Sequence, residues 1–69
     1  MAIPIHVNGK SVRVPEAMTL AALVAERGFR PGTVAVEHNE EIVDAAKWAD
    51  TVLQAGDEVE IVQFMGGGC

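Results

Sequence analysis

Apolar residues alternate with others at Ile3, Ile5 and Val7, the period of a β-strand. Asn8-Gly9 follows, and a two-residue hairpin turn wants positive φ at both positions. Val12 and Val14 alternate in the returning strand, and Pro15 stops the ladder by removing a donor. The period then changes. Thr19 is a helix cap, with Leu20, Leu23, Val24 and Arg27 at helical spacing and Ala21, Ala22 and Ala25 as helix formers. Gly28 is a C-terminal stop and Pro31-Gly32 a turn. So short a helix must be held by packing on a sheet.

Residues 33–37 read as a buried strand built on Val34, Ala35 and Val36. His38-Asn39-Glu40 is a turn, Ile42-Val43 a short edge strand, and residues 44–48 a single helical turn. Leu53 stands alone before a Gly56-Asp57 turn, and residues 58–64 form the last strand. The pattern predicts an α+β domain, a mixed sheet with one main helix packed across it. The first and last strands are expected as central neighbours.

Composition narrows the picture. The chain has 69 residues, 49% hydrophobic and 22% charged, a globular balance rather than a disordered one. A domain of this size buries only about 60% of its unfolded surface, so a deep catalytic pocket is not expected. Aromatics are 4%, so the core rests on Val, Ile, Leu and Ala. Ten acidic residues against five basic ones give a net charge of −5. With the basic residues scattered, nucleic acid and membrane surfaces are disfavoured as partners and a basic protein face is favoured. The single cysteine excludes an internal disulfide. No apolar run approaches the ~20 residues of a membrane span, and no segment resembles a signal peptide, so the expected compartment is cytoplasmic.

The C-terminus carries the candidate chemistry. The chain reads as a domain over residues 1–65 followed by a flexible glycine-rich tail over residues 66–69, Gly66, Gly67, Gly68 and Cys69. Three glycines add nothing to a core and are costly to order. They suit a terminus threaded through a narrow slot, and residues 65–68 extended reach ~13–14 Å. A frayed end or a linker scar is the alternative. In the last strand Val59 and Ile61 fit the core face, which leaves Glu60, Val62 and Phe64 on the other. Val62, Phe64 and Met65, with Glu60 beside them, are the candidate partner-binding residues. The alternative is that Phe64 folds back into the core.

The rest of the sequence offers no catalytic constellation and no ligand spacing for a metal. His6 lies opposite Ile5 and Val7, and His38 sits in a turn. Glu40-Glu41 and Asp57-Glu58-Glu60 read as solvated faces, the latter with a second reading as a contact for basic groups of a partner. Trp48 reads as a core or edge packer.

Taken in order, Val7-Asn8-Gly9-Lys10, Thr19-Leu20, Val34-Ala35-Val36-Glu37 with Asn39, Ile42-Val43, Trp48, Gly56-Asp57, Val59-Glu60-Ile61-Val62 and Gly66-Gly67-Gly68 resemble the ThiS family of sulfur carriers in thiamine thiazole synthesis. Molybdopterin-synthase small subunits share the fold and a terminal Gly-Gly but resemble the central region less. The resemblance implies a ubiquitin-like β-grasp fold and a carrier rather than an enzyme. It implies an E1-like adenylating partner (ThiF-like) that uses ATP and magnesium, a sulfur donor protein, and a thiazole synthase (ThiG-like) that takes the sulfur. The carrier itself binds no cofactor. Gly67 and Gly68 match the family's terminal pair, and Gly68 would bear a thiocarboxylate.

Cys69 departs from that pattern. It is a residue removed by a processing protease, a sulfur-bearing group in its own right, or an engineered or unprocessed end. Removal fits best, because a side chain after Gly68 blocks the slot. Two other functions stay open. One is a thiocarboxylate carrier for cysteine, homocysteine, molybdopterin or siderophore synthesis. The other is a ubiquitin-like protein modifier.

Overall fold

The computed structural model describes residues 1–64. Met65, Gly66, Gly67, Gly68 and Cys69, on which the tail reading rests, lie outside the described residues. The elements are β1 (Ala2–Val7), β2 (Lys10–Pro15), α1 (Leu20–Glu26), β3 (Val34–His38), β4 (Glu41–Ile42), a 3-10 helix (Ala45–Asp50) and β5 (Glu58–Gln63). They build one five-stranded sheet in the order β2-β1-β5-β3-β4. β1 and β5 are central and parallel, and the other pairs are antiparallel. The sheet is therefore mixed, and the expected neighbours are neighbours.

Local chemistry explains the element ends. Asn8 and Gly9 have φ of 52° and 83°, the conformation that the two-residue turn requires. The Thr19 hydroxyl accepts from the Ala22 N–H at 3.1 Å and fills one donor that the first helical turn leaves open. At the other end the Gly28 N–H reaches the Ala25 carbonyl and the Phe29 N–H the Val24 carbonyl. This pair of bonds is a Schellman motif, with Gly28 at φ 84°.

The core is aliphatic apart from one ring. Ile5, Val7, Val14, Leu20, Leu23, Val24, Val34, Val36, Leu53, Val59 and Ile61 are buried together with Trp48. The indole Nε1 of Trp48 donates to the Val43 carbonyl at 2.9 Å, so its polar edge is satisfied where its rings are buried. Leu53 is held in place by its N–H bond to the Met18 carbonyl at 2.8 Å.

Several boundaries move from their expected places. The edge strand covers Glu41 and Ile42 rather than Ile42 and Val43, because Val43 turns inward against the core. The helical turn expected at residues 44–48 is a 3-10 helix from Ala45 to Asp50. β5 ends at Gln63, one residue before Phe64.

Candidate functional site

The outer face of the sheet is built by residues that alternate with the core. On β5 the core side takes Val59 and Ile61, and the outer side carries Glu58, Glu60 and Val62. Val62 lies directly across from Ala35, and Glu60 across from Glu37. Glu37 in turn faces Ile42 on β4. The outer surface is thus an apolar area of Val62 and Ala35, with Phe64 beyond the strand end and Ile42 at the sheet edge. Val62 is 54% and Phe64 55% exposed, so Phe64 does not fold back into the core. Met65, the remaining member of the expected patch, is not among the described residues.

Ile42 is 74% exposed, and it was not among the residues expected at this surface. Its position follows from the cross-strand register with Glu37, which the sequence does not state. Ile42 is a large apolar side chain left in water on a two-residue edge strand, on the same face as Val62 and next to the Glu37–Glu60 pair.

The acidic groups divide into two kinds. Glu37 and Glu60 are direct cross-strand partners of like charge, an arrangement that costs stability in an isolated sheet. Asp57 is different. It was expected on a solvated face and is instead buried, at 7% exposure. Its Oδ2 accepts from His38 Nε2 at 2.6 Å and from the Gln54 N–H at 2.9 Å, and its Oδ1 accepts from Asn39 Nδ2 at 3.2 Å. Burial pushes its carboxyl pKa up, but the bonds from His38, Gln54 and Asn39 and the charge of His38 outweigh it. The net effect holds the pKa below the ordinary 3.8. His38 therefore has a structural bond as well as its place at a strand end. The cluster ties the β3–β4 turn to the start of β5, and β5 leads toward the glycine tail.

Asn8 performs a similar service at the other side of β5. Its Oδ1 accepts from the Ile61 N–H at 2.8 Å and its Nδ2 donates to the Ile61 carbonyl at 3.3 Å. The carboxamide imitates one residue of a neighbouring strand where β1 has turned away.

His6 is exposed on the outer face, paired with Glu58 across the parallel ladder. Among the described residues no cluster of three or more His, Cys, Asp or Glu side chains is arranged to hold a metal ion. No helix among them is long and apolar enough to cross a membrane.

A mixed sheet of this order with one helix across it, leading into a glycine-rich C-terminus, defines a β-grasp domain of ubiquitin-like class. A family model described as the ThiS family matches residues 2–68, and the chain belongs to that family. It is 34% identical over 65 residues to the sulfur carrier protein ThiS of Bacillus subtilis strain 168, covering 93% of this chain and 98% of that protein. The crystal structure of the thiamine biosynthesis protein ThiS from Geobacter metallireducens superposes with a TM-score of 0.81 at 32% identity, covering 96% of this chain and all of that one. The chain is also 41% identical over 64 residues to a thiazole synthase of Magnetococcus marinus. The match covers 93% of this chain and 20% of that protein. The chain thus spans about a fifth of the length of the thiazole synthases it matches.

Proposed function

We propose that the chain is a sulfur carrier that donates sulfur for the thiazole of thiamine and acts in the cytoplasm. The observation that carries this reading is the family match over residues 2–68, which runs through Gly67 and Gly68. The likeness to full-length ThiS of Bacillus subtilis supports it.

The chemistry follows from the inertness of a carboxylate toward sulfur nucleophiles. An E1-like enzyme transfers AMP from ATP, with magnesium, to the carboxylate of Gly68 and releases pyrophosphate. Sulfur from a persulfide donor protein then displaces AMP, and a thiol reduces the remaining S–S bond. The product is a terminal –COSH that a thiazole synthase consumes. The carrier contributes a reactive end and a recognition surface, while the catalytic groups belong to its partners. Val62 and Phe64, with Glu60 on the same face and Ile42 at the sheet edge, form that surface in this reading, and Met65, outside the described residues, is assigned to it from the sequence alone. That a segment similar to this chain occurs within longer chains named thiazole synthase supports the synthase as the acceptor.

Cys69 follows Gly68 in this sequence, so the reading requires a protease to remove it before activation. The same observation favours a second reading, a thiocarboxylate carrier for another pathway after the same removal. Deleting Gly67 and Gly68 tests the tail assignment. The shortened chain is expected to keep its circular dichroism spectrum and lose all ATP-dependent sulfur loading; loading that survives the deletion would overturn it.

A further inference from the structure

Beyond the tip of the first hairpin, β5 continues with no strand of the described residues on its β1 side. The β1–β5 ladder holds two pairs, His6 with Glu58 and Val7 with Val59. Backbone alternation fixes where each β5 residue sends its polar groups. The Glu58 carbonyl accepts from the Asn39 N–H, and the Phe64 N–H donates to the Thr33 carbonyl, so the even-numbered residues turn toward β3. The odd-numbered residues turn toward β1. The Asp57 and Val59 carbonyls accept from the His6 and Asn8 N–H groups, and Ile61 is bonded by the Asn8 carboxamide.

Gln63 is next in this series. Among the described residues neither its N–H nor its carbonyl has a hydrogen-bond partner on the β1 side. Its extended geometry is nonetheless fixed from the other side, by its register with Val34 and by the bond from the Phe64 N–H to Thr33 at 3.1 Å. An ordered and open strand edge is a template for another strand. The groove along it is lined by Asn8, Glu60, Ile61, Val62 and Gln63. Glu58 and Glu60 are exposed on the outer face of β5, and Glu60 borders this groove. Among the described residues the one ion pair is His38 with Asp57, so neither carboxylate is neutralised by a Lys or Arg of the domain.

We propose that the edge of β5 at Gln63 is a strand-addition site for an extended segment of the sulfur-accepting enzyme. The segment continues the line that β1 abandons and pairs with the Gln63 backbone. It sets a basic side chain beside Glu60, as the unneutralised carboxylates and the net charge of −5 favour. The proposal rests on the carrier reading above and adds to it a defined contact made by backbone atoms.

The test uses the full chain, labelled with nitrogen-15, and the purified thiazole synthase of the same organism as probe. Amide exchange at Gln63 is expected to slow at least ~10-fold in the complex, whereas the Phe64 amide, already bonded to Thr33, changes little. Gln63→Pro removes the outward N–H and no bond to β3. It is expected to weaken binding roughly 5- to 10-fold, the worth of one backbone hydrogen bond, with the melting temperature nearly unchanged. A complex that forms with Gln63 unprotected, and equally well with Gln63→Pro, overturns the edge contact and leaves the carrier reading intact. Absence of any complex overturns the synthase as acceptor, and the inference with it. Protection of Gln63 in the free chain, at concentrations where it runs as a dimer, assigns the edge to a second copy and also overturns the proposal.

Discussion

His38 Nε2 donates to Asp57 Oδ2 at 2.6 Å, which fastens the last residue of β3 to the turn that launches β5. Asp57 is buried, and its folded pKa lies below the ordinary 3.8. A carboxyl with a depressed folded pKa stabilises the fold above its unfolded value, and that contribution is lost as pH falls through the folded value. The window is therefore below about pH 4. Asp57→Asn is expected to cost about 1–3 kcal/mol at pH 7, since it weakens the charge-assisted bonds that a buried carboxylate accepts from His38, Gln54 and Asn39. Melting curves from pH 7 downward check the sign. The gap between wild type and variant is expected to close as pH drops below 3.8; a gap that stays constant would show that the carboxylate charge is not what stabilises the cluster.

Asn8 has two separate tasks, and a substitution distinguishes them. Glycine at this position keeps the φ of 52° without strain but loses both bonds to Ile61. Because Ile61 is buried, Asn8→Gly is expected to destabilise by about 1–2 kcal/mol. For a domain of this size that is a fall of roughly 4–8 °C in melting temperature per kcal/mol. A melting temperature equal to wild type would mean that the turn conformation alone is what matters at residue 8.

Glu40 sits at φ 73° in the two-residue turn with Asn39 at φ 51°. The second position of such a turn favours glycine. Glu40→Gly relieves the left-handed strain and leaves the Asn39 side-chain bonds in place. Stability is expected to rise by up to about 1 kcal/mol, measured by urea denaturation. A lower midpoint would show that the Glu40 side chain has a stabilising contact that outweighs the strain.

Much of this architecture was legible because its signals are local. Asn8-Gly9, the Thr19 cap, Gly28 and the two periodicities each act within a few residues, and the structure follows them. The adjacency of β1 and β5 was expected, although their apolar alternation fixes only which face each residue takes and not which strand lies beside it. What escaped depends on distant partners. Asp57 looked solvated because the groups that bury and satisfy it, His38 and Asn39, lie 19 and 18 residues away. The Asn8–Ile61 bonds span 53 residues, so Asn8 read only as a turn former. Ile42 joined the outer surface through its register with Glu37. Val62 and Phe64 were foreseeable at that surface, because one alternation through β5 fixes both once Val59 and Ile61 are assigned to the core.

Phe64 separates recognition from folding. Its ring is already more than half in water, so Phe64→Ala is expected to cost about 1 kcal/mol or less in stability. If it anchors the docking surface, affinity for the activating enzyme falls by roughly 10-fold or more. Calorimetric titration alongside thermal melting checks both. A large loss of melting temperature with unchanged affinity would place the ring in the folding core and remove it from the interface.

The central claim, a thiocarboxylate formed at Gly68, is most directly tested by the intact mass of the protein isolated from its native cells. The expected species has lost the cysteine residue and exchanged one terminal oxygen for sulfur. A chain that retains Cys69 in cells making thiamine, with sulfur absent or added only to its thiol, would contradict it.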